Sequence, residues 1–465
     1  MYFLKIDRIS TLVSKITITS LYLDDQFRRR KMLRRTSPPS PKRVIMGAMI
    51  YVILSAFLYV LATMFPVTSC FAMTTFLIPL CLLKPSNHWR SRLSYGFLWG
   101  MIVFTVYFWW LFVLFYTKYG NLWCCILSLC MIIWCSSLAG LWFVFFPFAR
   151  LWSTVIFFII ISKYCFCLSG VVEGYSLCSP LVVLASYPWM LDCLYGLSDA
   201  GMLALLFAAQ ISCADALQAK KENCSKVIFV GCMIIFIVGH LSNPQLQTLQ
   251  TSKMITLCPW WYGCGDPMFA GYRMSHDLSV VMQKYPETKL IVMPESTYCW
   301  DLQEYRSFME IWSDSAGDAQ ILFGAHEADN SADNGTSHNV VFLLHNNTLL
   351  FRYRKQHFMP LIERSIWIER WCNKSLIGQV VQTNATDVYD DDLVTINGVM
   401  YQIFICSEFF FESKKVKGHP VILLWNDSWL CLDWVKRLAL LFIVYFEKKY
   451  RVPILHVSTQ GVSNI

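Results

Sequence analysis

Three stretches of this chain end an apolar, strand-like run on a residue that can do chemistry. Phe404-Ile405-Cys406-Ser407-Glu408-Phe409-Phe410 stops at a thiol with a carboxylate two residues on. Val292-Met293-Pro294-Glu295-Ser296 closes the run 289–293 with a glutamate, and Phe351-Arg352-Tyr353-Arg354-Lys355-Gln356-His357-Phe358-Met359-Pro360 closes another with a lysine. A base, a cation and a thiol are what acyl transfer through a thioester requires: proton removal, oxyanion stabilisation and a nucleophile. Glu295 is expected to take the thiol proton, the Lys355 ammonium to favour the thiolate, and Lys355 with the Ser407 N–H to hold the oxyanion. A buried cysteine by itself is usually an inert small hydrophobe. The three matching contexts together make Cys406 the expected nucleophile.

The elements that must position these groups follow Asn243-Pro244. Short β-type runs at 253–258, 289–293, 320–323, 339–344, 348–354, 400–405, 420–425 and 453–458 are separated by polar loops. Helix-like stretches fall at 269–284, 302–314 and 430–449. Such alternation predicts a layered α/β domain. Residues 364–399 interrupt it, with Trp367 and Trp371 ahead of the acidic Asp390-Asp391-Asp392. An insertion of this length is either a lid, whose tryptophans would suit lipid chains, or a packed surface excursion.

Pro-Glu, then Tyr-x-Lys-x-His-x-x-Pro-x-x-Glu (Tyr353, Lys355, His357, Pro360, Glu363), then Ile-Cys-x-Glu, in that order, resembles the nitrilase (carbon-nitrogen hydrolase) superfamily. Leu424-Trp425-Asn426-Asp427-Ser428-Trp429 and Thr459-Gln460-Gly461-Val462-Ser463 extend the likeness over 289–463, and the membrane-bound branch fits best. The resemblance implies a nitrilase-like α-β-β-α sandwich without cofactor or metal. It also implies supporting roles for Glu363, Glu408, Tyr353 and Ser407 around the catalytic Glu295, Lys355 and Cys406. His357 is read as a structural hydrogen-bonder, since the superfamily uses glutamate as its base.

Two types within that branch are similar to this chain. Apolipoprotein N-acyltransferases would imply a phospholipid acyl donor and a lipoprotein amine as acceptor. Met293-Pro294-Glu295-Ser296-Thr297-Tyr298-Cys299-Trp300 and Cys406-Ser407-Glu408-Phe409-Phe410-Phe411 look more like the conjugal-transfer TraB type, which implies another amide or acyl substrate, or a non-enzymatic scaffold. The family continues beyond the Gly461-Val462-Ser463 segment with more sandwich and an eighth span, so a C-terminally shortened domain is the expectation here.

Composition locates the other half of the chain. With 56% hydrophobic residues, 16% aromatics and a mean hydropathy of +0.45, its 465 residues are too apolar for an ordinary soluble protein. The apolar residues gather before position 241 and predict seven spans at 44–65, 67–83, 95–117, 121–148, 151–169, 199–216 and 226–241. The stretch 179–191, broken by Pro180 and Pro188, reads as interfacial or re-entrant. Lys84, Arg90, Arg92, Arg150, Lys220, Lys221 and Lys226 occupy alternate loops, whereas 170–198 carries no Lys or Arg. The positive-inside rule then puts the N-terminus in the cytoplasm and residue 242 onward across the membrane, which in a bacterium is the periplasmic side of the inner membrane. The expected organisation is a basic tail at 1–42, a membrane domain at 43–243 and a catalytic domain at 244–465.

The net charge of +8 does not call for nucleic acid, because ten Lys/Arg sit in the first 42 residues, ahead of the first span, and no nucleic-acid-binding motif accompanies them. Of nineteen cysteines, thirteen precede residue 241, mostly inside apolar runs, and the rest lack zinc-type spacing. Cys258 and Cys264 either pair in an oxidising compartment or stay as two thiols. Lys163 and Glu173, in and just beyond the fifth span, are read as snorkelling or paired within the bundle, or as serving substrate entry.

Overall fold

A computed structural model of the chain describes residues 41–65, 76–82, 88–114, 116, 122–164, 179–188, 191, 197–217, 253–258, 265–302, 304–328, 337–357, 391–410, 416–427, 430, 432–459 and 461–463. The expected seventh span at 226–241, most of the second, Lys163's side chain and Glu173 lie outside them.

The helical region comprises α1 (Pro41–Met64), α2 (Leu77–Leu82), α3 (Trp89–Leu114), α4 (Leu122–Phe145), α5 (Arg150–Tyr164), α6 (Pro180–Leu184) and α7 (Asp199–Leu217). Stretches of 19, 26 and 18 residues in α1, α3 and α4 are long and apolar enough to cross a membrane. Residues 150–162 form a shorter apolar helix. α3 and α4 approach closely at small residues: a Cβ on Gly96 would lie 2.4 Å from the Ala139 carbonyl oxygen, and one on Gly100 2.6 Å from Ser136 Cα. Two polar side chains inside the bundle find partners there. Trp99 Nε1 donates to Ser55 Oγ at 3.0 Å, and Gln210 Oε1 accepts from the backbone N–H of Leu77, the first residue of α2, at 3.0 Å.

The second region, in chain order, runs β1 (Met254–Thr256), α8 (Pro267–Lys284), β2 (Leu290–Val292), β3 (Tyr298–Asp301), α9 (Ser307–Ala316), β4 (Gln320–Ala328), β5 (Ser337–His345), β6 (Thr348–Arg354), β7 (Leu393–Ile396), β8 (Val399–Ile405), β9 (Val421–Trp425), α10 (Asp433–Tyr450), β10 (Ile454–Ser458) and β11 (Gly461–Ser463). Two mixed sheets result. One has the order β1-β2-β4-β5-β6 with β3 also on β4, and the other β11-β10-β9-β8-β7.

The period-two alternation of the strands builds the layers. Tyr401, Ile403 and Ile405 of β8, Ile422 and Leu424 of β9, and Leu455 and Val457 of β10 face Leu290, Val292, Leu322, Val341, Leu343 and Tyr353 of the first sheet. The intervening Phe404, Val421, Leu423 and Trp425 face the other way, onto Val435, Leu438, Ala439, Phe442 and Phe446 of α10. On the far side, Ile321, Phe323, Val340 and Phe342 pack under Met274, Leu278, Phe308 and Trp312 of α8 and α9. The layers are therefore helix, sheet, sheet, helix, as expected for the α/β half.

Three strands escaped the sequence reading. β3, β7 and β11 are three or four residues long and are held by their neighbours. β7 lies within the insertion read at 364–399, whose end returns as a hairpin with β8 across Asn397 and Gly398, both at positive φ.

α10 also joins the two regions. Asp199, at the start of α7, accepts from Tyr445 Oη and Lys449 Nζ, each at 2.7 Å. At the opposite end of the bundle, Arg150 pairs with Asp215 at 2.8 Å and Arg92 lies 5.0 Å over the Phe148 ring.

Candidate active site

The parallel strands β2, β8, β9 and β10 end at one edge of the two sheets, and the chemically competent residues lie just beyond those ends. Glu295 follows β2 by three residues and is almost completely buried. Its Oε1 accepts from Lys355 Nζ at 3.0 Å and from Asn339 Nδ2 at 2.6 Å, while Oε2 accepts from the backbone N–H of Asn426 at 2.9 Å. Three donors thus converge on one carboxylate and stabilise its charge. Lys355, just past β6, is equally buried, and its own N–H donates to the Asn339 carbonyl at 2.9 Å.

Cys406 begins a 3-10 turn immediately after β8 and has φ of +47°. It is partly buried and packs at the margin of both the inter-sheet core and the α10 layer. Ile405 pairs with Leu424 in parallel register, and two residues beyond Leu424 is Asn426, which holds Glu295. Ser296, next to Glu295, also adopts a positive φ, of +53°. Both non-glycine residues sit in a sparsely populated backbone region, and strain of that kind gathers where side chains must be aimed.

Glu408 braces the turn. It is fully buried and accepts from Tyr353 Oη at 2.7 Å, Gln356 N–H at 2.7 Å and His357 N–H at 3.4 Å through Oε1, and from Ile405 N–H at 2.8 Å through Oε2. One carboxylate therefore ties the segment that carries Lys355 to the strand end that carries Cys406. Ser407 Oγ adds a bond to the His357 carbonyl at 3.0 Å. Tyr353 and Ser407 are thus placed as supports, and His357 takes part through its backbone. Glu363, Trp367 and Trp371 lie outside the described residues.

Two contributors were missed from sequence. Asn339 shares the inward parity of Val341 and Leu343 on β5, so a polar residue at an inward position was its signal. Gly324, on β4, lies directly beneath Glu295: a Cβ there would sit 2.6 Å from Ser296 N and 2.8 Å from Glu295 Cα. Both are backbone atoms, which cannot swing aside. Gly324→Ala is therefore expected to displace Glu295 and lower the acylation rate about 100-fold, the scale of a misplaced catalytic group, with an overpacking cost of about 1–3 kcal/mol. Single-turnover acylation checks this, and a rate equal to that of the parent protein would show that the backbone gives way.

Two further thiols lie near the same edge. Cys299 Sγ donates to the Ser296 carbonyl at 2.9 Å, and burial, with a smaller contribution from Glu295, pushes its pKa up to about 11. Cys258 Sγ donates to the Ser458 carbonyl at 3.2 Å. Among the described residues, no group of three or more His, Cys, Asp or Glu side chains is placed to hold a metal ion.

No family model matches the chain, and no curated protein matches it in sequence. Among solved structures it is similar to a carbon-nitrogen hydrolase from Helicobacter pylori G27, at 12% identity over 43% of this chain and 75% of that one, with a TM-score of 0.31. It is also similar to Saccharomyces cerevisiae Nit3, a member of branch 10 of the nitrilase superfamily, at 17% identity over 42% and 70%, with a TM-score of 0.29. A third is XC1258 from Xanthomonas campestris, a CN-hydrolase superfamily protein, at 12% identity over 42% and 74%, with a TM-score of 0.28. These three structural neighbours are carbon-nitrogen hydrolase superfamily members of low identity, each aligned with less than half of this chain.

Proposed function

We propose that this chain is a membrane-bound thiol acyltransferase or amidase of the nitrilase type, working through a thioester on Cys406. The observation that carries the reading is the buried Lys355–Glu295 ion pair, tied by the Asn426 N–H to the strand beside the one that ends in Cys406. Glu295 takes the thiol proton and the sulfur attacks the acyl carbonyl carbon, forming the C–S bond. Lys355 and the Ser407 N–H carry the oxyanion charge. The bond to the leaving group then breaks, and the proton on Glu295 passes to the departing oxygen or nitrogen. In the second half an amine attacks the thioester, yields its proton to Glu295, and the sulfur leaves and is reprotonated.

The substrate proposed is a phospholipid acyl chain, with the lysophospholipid as leaving group and an amine such as a lipoprotein N-terminus as acceptor. A conjugal-transfer role of TraB type would use the same residues on another amide or acyl substrate. Intact-mass measurement of the purified protein incubated with phospholipid tests the chemistry: a mass gain of one acyl chain on Cys406 is expected. Absence of any adduct with every phospholipid offered would overturn phospholipid as the acyl donor.

The proposed setting is a bacterial inner membrane, with a basic tail at 1–42, a multi-pass domain at 43–243 and the catalytic domain at 244–465 on the periplasmic side. Three helices of membrane-spanning length support it. So does the placement of Arg92 and Arg150 at the end of the bundle away from α10, which is the end the positive-inside rule assigns to the cytoplasm. A reporter fused after Asn243 should behave as exported and one after Lys221 as cytoplasmic. Cytoplasmic behaviour of both would overturn this orientation.

A further inference from the structure

Arg437 lies on α10 where that helix meets the bundle, and the mechanism makes no use of it. Its Nη1 donates to the Thr63 carbonyl at 3.5 Å and its Nη2 to Ser186 Oγ at 3.2 Å, both neutral acceptors, and no carboxylate faces it among the described residues. Burial pushes the guanidinium down to about 10, against a smaller opposing contribution from Tyr187, so it stays charged at neutral pH. A guanidinium carries five donors in a planar fork suited to phosphate or carboxylate, and a half-buried one without an anion is uncompensated. The other cations on α10's bundle side are not in this position: Lys449 already pairs with Asp199.

The surroundings indicate the missing anion. Along α1, Met46, Ile50, Ile53 and Phe57 form an exposed apolar stripe at helical spacing. Phe65, 50% exposed, lies just past the helix end and two residues from Thr63, whose carbonyl meets Arg437. Exposed apolar side chains thus run along a membrane-length helix, and Arg437 reaches the carbonyl near the C-terminal end of that helix. On the same α10, about one turn further on, Phe442 packs at 5.5 Å against Phe409 and 5.1 Å against Phe410, in the turn that starts at Cys406.

We infer that Arg437, with Ser186 and the end of α1, binds the phosphate of a phospholipid headgroup whose acyl chain lies along α1. This rests on the membrane setting proposed above but not on the thioester. Binding is therefore read in the full-length Cys406→Ala protein, which cannot turn over, using short-chain phosphatidylglycerol as the probe in detergent. Arg437→Gln is expected to weaken binding about 10-fold or more, the worth of a charge-assisted bond to phosphate, and Arg437→Lys to keep part of it. Millimolar inorganic phosphate should not displace the lipid, and diacylglycerol, which lacks the phosphate, should bind weakly. Equal affinity of the parent and Arg437→Gln, both folded by thermal unfolding, overturns the site. Displacement by inorganic phosphate overturns the lipid assignment. Should Arg437→Gln fail to fold, unimpaired diacylglycerol binding to the Arg437→Lys and parent proteins overturns it equally.

Discussion

Cys406→Ala is expected to abolish the acyl adduct, and Cys406→Ser to leave almost none, when the purified proteins are incubated with phospholipid and weighed intact. The serine hydroxyl is a far weaker nucleophile in a site whose base is matched to a thiol. Geometry singles out this sulfur from its neighbours. Cys299 donates into the Ser296 carbonyl, and its pKa of about 11 keeps it protonated at neutral pH. Cys258 is turned toward the Ser458 carbonyl. Of these three thiols, Cys406 alone leaves a strand at a left-handed φ, in a turn where Glu408 accepts three bonds from the lysine-bearing segment and one from Ile405. A full-mass adduct on Cys406→Ala would move the chemistry to another side chain, with Cys299 the first to replace.

The three chemical groups were legible in the sequence because each terminates an apolar run, and a strand end is where a side chain can leave the core without breaking the alternation. The layers were legible for the same reason: the period of two in 400–405 and 421–425 sorts one set of side chains to the inter-sheet core and the other to α10. Asn339 and Gly324 were not. Their roles depend on their closeness to Glu295, just past β2 of the same sheet, and nothing local to β4 or β5 encodes that distance.

Boundaries failed where charge and helix disagree. α3 begins at Trp89, not near 95, because Arg90 and Arg92 stay helical, Arg90 lying 5.5 Å over Trp89 and Arg92 5.0 Å over Phe148. Hydropathy reads those arginines as the end of a span, but the backbone hydrogen bonds continue through them. α9 likewise starts at Ser307, after a turn that a purely periodic reading absorbed into the helix.

Glu295→Gln and Lys355→Met separate a working site from an inherited scaffold. Their side chains are buried to within a few per cent, and taking two charges out of water costs several kcal/mol per ion, which a merely structural pair seldom recovers against well-packed apolar groups. Each single substitution is expected to slow acylation at least ~100-fold, the usual scale for losing a general base or an oxyanion donor. Each also strands the other charge in the interior and should destabilise by about 3–5 kcal/mol. The Asn339 and Asn426 donors that still serve Glu295 should put Lys355→Met toward the lower end of that range. The double variant removes both charges, so its stability should return toward that of the parent while its acylation stays at the level of the slower single variant, a non-additivity expected of residues acting as a unit. Denaturant unfolding and single-turnover acylation on the four proteins measure the two quantities separately. Acylation unchanged in the double variant would mean that the pair holds the strand ends together and nothing more, and the thioester reading would fall with it.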